Sequence, residues 1–136
     1  MNSPTLAPKL LGSTIGSSAD GFVVAEWQDP GGSPDERRLI APLHLHHRDD
    51  EIWYVLAGTL RVQVGDTEME ATQGSAVFVP RGTAHTFWNP RAEPVRYLLV
   101  MTSNTFSLIQ EIHSAIDRSP AALSALFRIY HSELLG

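Results

Sequence analysis

From Arg38 to Met101 the chain is a succession of short β-rich runs, each closed by a turn: LIAPLHLH, EIWYVLAG, TLRVQVGD, TEMEATQG, SAVFVPRG, AHTFWNP and PVRYLLVM. No helical pattern falls between them. Short strands at even spacing bury their apolar sides by closing on one another, as an antiparallel sandwich or barrel. Alternation assigns the faces. Leu60, Val62 and Val64 alternate with Arg61 and Gln63, a strand with one wet side, whereas Ile52 to Leu56 and Tyr97 to Met101 are apolar on both sides. Strands dry on both faces need cover outside as well as inside, from the C-terminal segment or from a second subunit.

The flanks read differently. Residues 1–20 are rich in Ser, Pro and Gly and form an arm or a short edge strand, and Phe22 to Trp27 is a strand closed by the turn-forming DPGGSPD from Asp29 to Asp35. Beyond Asn104 the period becomes helical: Phe106, Ile109, Ile112, His113 and Ile116 make one stripe, with Asn104 or Thr105 as N-cap. A second helix starts at Ser119, with Pro120 at the tolerated first position and Leu123, Leu126, Phe127, Tyr130 and Leu134 on its apolar side. The 136 residues suffice for one hydrophobic core. The expected organisation is a single domain with an arm over 1–20, a barrel over 21–103 and a helical tail over 104–136.

The chemistry concentrates between Pro42 and Gly58, PLHLHHRDDEIWYVLAG. His44 and His46 stand two apart, so on a strand they share one face and their imidazoles can converge. Glu51 would point away on an unbroken strand, but the polar HRDD between them reads as a turn that places Glu51 at the start of the next strand, facing back. Two imidazoles and a carboxylate make a nitrogen and oxygen metal site suited to iron, nickel, manganese or zinc. The chain has no cysteine, so any metal is held by His, Asp, Glu or water. Asp49 and Asp50 stand close enough along the turn to take the place of Glu51. His47 follows His46 directly and faces away; His113 and His131, on the predicted helices, read as structural.

Gly74 to Asn89, GSAVFVPRGTAHTFWN, supplies the other half. A strand runs into Pro80-Arg81-Gly82, where proline fixes φ and glycine permits positive φ, and a new strand presents His85, Phe87 and Asn89 on one face. His85 is thus a third imidazole candidate. With both stretches in view, the chain resembles the cupin superfamily. The first cupin motif, G-x5-H-x-H-x3,4-E-x6-G, is matched from His44 to Gly58, and the second, G-x5-P-x-G-x2-H-x3-N, is matched at Gly74, Pro80, Gly82, His85 and Asn89. One departure is visible: the leading glycine of the first motif falls at Arg38, in an upstream turn that holds no ligand.

The resemblance covers roughly residues 20–103 and implies an all-β fold, a jelly-roll β-barrel followed here by two short C-terminal α-helices. It implies one divalent transition metal ion (iron, nickel, manganese, copper or zinc) in the lumen on His44, His46, Glu51 and His85, with Glu51 serving also as catalytic base. Four protein ligands leave an octahedral ion two open positions, as a catalytic site requires. The tail is similar to that of small quercetin-dioxygenase-like cupins. The function expected is a dioxygenase acting on a small aromatic or enolic molecule; the alternatives are a non-redox isomerase, lyase or decarboxylase, and a non-catalytic metal- or small-molecule-binding cupin. Trp53, Val55, Phe87, Tyr97 and Met101 are expected either to line an apolar substrate pocket beside the metal or to fill the core of a small barrel. Arg81 reads as a solvated turn residue. Trp88 and Tyr54, on the opposite face by alternation, fit the homodimer interface that many cupins form, or lie under the tail helices.

The net charge of −5 argues against nucleic acid or an acidic membrane surface as partner. MNSPTLAPKLLG has no apolar run of signal-peptide length and no stretch approaches the ~20 residues of a membrane span, so a cytoplasmic location is expected.

Overall fold

The computed structural model describes residues 4–10, 12–33 and 35–136. Residues 1–3 and 11 of the expected arm, and Pro34 of the expected turn, lie outside them. In chain order the strands are β1 (Thr14–Ile15), β2 (Phe22–Asp29), β3 (Leu39–His46), β4 (Glu51–Ala57), β5 (Thr59–Val64), β6 (Thr67–Thr72), β7 (Ala76–Val79), β8 (His85–Trp88) and β9 (Val95–Thr102). Helices α1 (Ser103–Ser114) and α2 (Pro120–Ile129) and a last strand, β10 (Ser132–Leu134), follow. They form two antiparallel five-stranded sheets, ordered β1-β2-β9-β4-β7 and β10-β3-β8-β5-β6.

The core lies between the sheets because β4, β5, β7 and β9 bury alternate residues. On β9 these are Val95, Tyr97, Leu99 and Met101; they neighbour Val23 and Ala25 on β2 and Trp53 and Val55 on β4. The other sheet answers with Leu60 and Val62 of β5, Ala71 of β6 and Phe87 of β8. Each large apolar side chain removed from water here contributes roughly 1.5–3 kcal/mol. The two sheets close by way of a tight β4–β5 turn at Gly58, whose φ of +83° suits glycine alone. A side chain there would run into the Pro94 carbonyl oxygen.

The outer face of the first sheet is apolar as the alternation indicates. Val24, Val100, Ile52 and Phe78 lie side by side across four strands, and Phe78 is 57% and Tyr54 39% exposed. Trp88 belongs to the other sheet and is buried, with the Arg37 guanidinium 3.9 Å above its ring. Tyr54 and Trp88 belong to different sheets, the first partly exposed and the second capped by an arginine.

The tail differs from expectation in three places. β9 runs straight into α1, and Thr102 is the N-cap, its hydroxyl accepting from the Thr105 N–H at 3.2 Å. Asn104 is already in the first turn, where its amide donates to Asp49 and to the Tyr130 carbonyl, each at 2.8 Å. Ala115 caps the other end, so Ile116 drops off the helical stripe and is fully exposed. α2 begins as the sequence indicates, with the Ser119 hydroxyl accepting from Ala122 N–H at 3.3 Å, but it does not reach Leu134. His131, at φ +56°, turns the chain out of the helix and into β10, antiparallel to β3. Free backbone groups along the β3 edge win over the helical recurrence: His47 N–H donates to the His131 carbonyl and Leu135 N–H to the Leu43 carbonyl, both at 2.8 Å. No helix among the described residues is long and apolar enough to cross a membrane.

Candidate metal centre

β3 is irregular where it approaches the site. Its register against β8 shifts between Leu39 and Ala41 and again between Ala41 and His44, and Pro42, which has no N–H to give a ladder, sits in the shifted stretch. Beyond the bulge His44 stands directly opposite His85 of β8. The Pro80-Arg81-Gly82 turn is pinned to the same strand, with Gly82 at φ +76° donating its N–H to the His46 carbonyl at 2.6 Å. Three imidazoles thus come from one sheet. Glu51, first residue of β4 and opposite Val79, comes from the other.

One ligand atom from each of His44, His46, Glu51 and His85 lies within 4.8 Å of the others, and all four residues are buried. Glu51 Oε1 is 2.7 Å from His85 Nε2 and 3.8 Å from His46 Nε2. The rings are held from behind. His44 Nδ1 is 2.6 Å from the Pro42 carbonyl and His85 Nδ1 2.9 Å from the Thr83 carbonyl; a carbonyl only accepts, so both Nδ1 atoms carry the proton. His46 Nδ1 is 2.7 Å from the Ser132 hydroxyl, which donates its own proton to the Tyr130 carbonyl at 3.1 Å and so accepts from the ring. In each neutral ring the proton is on the far nitrogen and the Nε2 lone pair is free.

The lone pairs and the carboxylate form a cluster of acceptors with no donor among them, and His85 Nε2 has no hydrogen-bond partner among the described residues. Two acceptors 2.7 Å apart call for a cation: a proton on His85, or a metal ion bound by all four. Burial first, and then repulsion by the charge of His85 and His46, lowers His44 from 6.5 to about 3. Burial followed by the charge of His85 lowers His46 to about 4. Both are therefore neutral at physiological pH, the state in which imidazole binds metal. The residues fit a divalent transition metal with nitrogen and oxygen preference.

The neighbouring acids are engaged elsewhere. Asp49 accepts from Thr102 at 2.9 Å and from Asn104 at 2.8 Å, one bond on each carboxylate oxygen. Asp50 holds Arg81 through its backbone N–H at 2.8 Å and its guanidinium at 2.9 Å, and these bonds keep its carboxyl below the usual range. Only Glu51 of the three faces the imidazoles. His47 is half exposed and pairs with Glu133 at 3.1 Å. Asn89 bonds its own loop, donating to the Glu93 carbonyl at 2.7 Å.

His44, His46 and Glu51 of the cluster line a cavity of about 310 Å³. Trp53, Phe87 and Tyr97 line it; Val55 and Met101 do not, being enclosed in the core between the sheets. The aromatic walls run on from the site: Trp53 is 5.8 Å from the His85 ring and 4.6 Å from Phe87, and Phe87 is 5.6 Å from Tyr97. Burial pushes the Tyr97 hydroxyl well up from 10, so the ring stays neutral. The opposite wall is the tail, which the sequence does not mark as part of a pocket. Leu108, Ile109, Ile112 and His113 of α1 and Phe127 of α2 close the cavity, with His113 edge-on to Trp27 at 6.3 Å and Phe127 edge-on to His44 at 5.6 Å. The α1 stripe was the available signal. What it packs against cannot be read from its period.

The cupin domain family matches residues 35–101, the stretch that carries both motifs and the whole cluster. The chain is a cupin. Among solved structures this cupin is similar to a cupin protein of Bacteroides fragilis, with a TM-score of 0.56 and 14% identity over 74% of this chain and 82% of that one, a likeness of fold. It is also similar to a sugar phosphate isomerase from a cupin superfamily of Silicibacter pomeroyi, at 25% identity and a TM-score of 0.53, over 61% of this chain and 51% of that one. Mannose-1-phosphate guanylyltransferase 2 of Escherichia coli O157:H7 is 32% identical over 62 residues, 46% of this chain. This cupin spans 13% of that enzyme's length, so the likeness is to one region of a much longer protein.

Proposed function

We propose that this cupin is a metal-dependent dioxygenase acting on a small aromatic or enolic molecule, with His44, His46, Glu51 and His85 as metal ligands. The observation that carries the reading is the set of four converging acceptors, three of which line an apolar, aromatic-walled cavity. A divalent ion bound there supplies Lewis acidity toward a substrate oxygen and, if redox-active, electrons for oxygen chemistry. The chain's own part is to exclude water with Leu108, Ile109 and Phe127, to orient a flat substrate between Trp53, Phe87 and Tyr97, and to accept a substrate proton on Glu51.

A second reading is non-redox isomerisation, lyase chemistry or decarboxylation, favoured by the likeness to a sugar phosphate isomerase. The cavity weighs against a phosphorylated sugar as substrate. Among the described residues its lining includes no Lys or Arg to pair a phosphate. Oxygen uptake by protein loaded in turn with iron, nickel, manganese and copper, against a panel of flavonols, diketones, acireductones and cysteine-like thiols, separates the readings. The dioxygenase reading expects uptake with at least one pair, lost on Glu51→Gln. Turnover with zinc in the absence of air selects the second reading, and tight binding without product makes the protein a passive binder.

Assembly belongs to the same proposal. Exposed Phe78 and Tyr54, with half-buried Ile52 beside them, mark the face of the first sheet that lacks cover, and a second copy supplies it in a homodimer.

A further inference from the structure

We propose that the C-terminal strand is part of the metal centre, and that Ser132 is a positioning residue that fixes His46 as a ligand. The inference rests on the metal-site reading above. A chain of hydrogen bonds leaves the site at His46 and ends on the turn that follows it. Ser132 stands opposite His46 in the β10–β3 ladder, and its hydroxyl meets His46 Nδ1 at 2.7 Å. The same hydroxyl donates to the Tyr130 carbonyl, which also accepts from Asn104. Asn104 in turn donates to Asp49, on the turn that follows His46. His44 and His85 are held by carbonyls within two residues along their own chain segments. His46 alone relies on a side chain brought from 86 residues away.

The difference has a physical consequence. The carbonyls that hold His44 and His85 can accept only, so those tautomers are set by the local backbone. A hydroxyl can donate or accept, and here the Tyr130 carbonyl takes its proton and leaves it to accept from His46. Docking of the tail therefore decides whether Nε2 of His46 offers a lone pair to the cluster. By linkage, a metal ion that needs that lone pair also holds the tail strand down.

The test uses nickel(II) alone as probe, titrated into metal-free full-length protein by competition with a chelator. Ser132→Ala is expected to weaken nickel binding by about 10- to 100-fold. Ser132→Thr, which keeps the hydroxyl, stays within a few-fold of wild type. In metal-free protein, nitrogen NMR of the rings shows His46 of Ser132→Ala drifting toward the Nε2–H tautomer while His44 and His85 hold Nδ1–H, a selective change that loosened packing would not produce. Should Ser132→Ala fail to fold, wild type decides: nickel must slow amide exchange at Leu135 but not in β6. Equal nickel affinity in wild type and Ser132→Ala, a Thr variant as weak as the Ala variant, or exchange at Leu135 indifferent to nickel each overturns the role of Ser132 while leaving the metal site standing. Wild type that takes up neither nickel nor, in the same titration, iron, manganese, copper or zinc overturns both.

Discussion

At the scale of single residues, His44 and His46 reach neutral pH uncharged because the fold has taken them out of water and set them against another imidazole. Their acid behaviour follows. Unfolded, both rings take a proton near 6.5; folded and metal-free, they resist until about 3 and about 4. Between those limits the unfolded chain binds more protons, so stability is full above 6.5 and is lost as pH falls toward the folded values. His46 alone contributes about 3 kcal/mol to that loss, at ~1.4 kcal/mol for each tenfold difference in proton affinity between the folded and unfolded chain. Urea denaturation of metal-stripped protein at pH 7.5 and pH 4.5 is expected to show a clear fall in stability at the lower pH, and equal midpoints would contradict it. The three imidazoles of the cluster were legible in the sequence because strand alternation and two turns specify which side chains meet. Glu51 was legible through the cupin motif; alternation alone left Asp49 and Asp50 open, since excluding them depends on Thr102, Asn104 and Arg81 occupying those two acids.

Among elements, turns and strands were read more faithfully than the tail. Alternation is a property of the strand itself, so the inward sets of β4, β5 and β9 follow from the sequence. The tail depends on what lies beneath it. β10 is too short to show a period and exists because β3 has an open edge; α1 is capped by Thr102 because β9 enters it without a loop. For the same reason, Val55 and Met101 could not be separated from Trp53, Phe87 and Tyr97 by alternation: all face inward and all belong to the core, and even Val55, directly across the ladder from Tyr97, does not line the cavity. Gly58 gives the sharpest test at this scale. A Cβ there both meets the Pro94 carbonyl oxygen and demands positive φ, so Gly58→Ala is expected to cost roughly 2 kcal/mol or more. A melting temperature unchanged from wild type would contradict the close approach of the β4–β5 turn to the start of β9.

For the whole molecule, the two sheets have different duties. The β3–β8 side supplies the imidazoles and pairs with β10, while the first sheet supplies Glu51, a seat for α1 and an apolar back. If that back is a homodimer interface, Phe78→Asp places a charge on it and yields a monomer by sedimentation velocity, with the fold intact by circular dichroism. An unshifted wild-type monomer at the highest concentration tested would contradict the assembly. The account as a whole stands on the four acceptors binding a metal, and the most direct measurement is the metal content of untagged wild-type protein beside His85→Ala. About one equivalent of iron, nickel, manganese, copper or zinc per chain, lost in the variant, is the predicted result. Wild-type protein that retains no metal after reconstitution with each of these ions would contradict it.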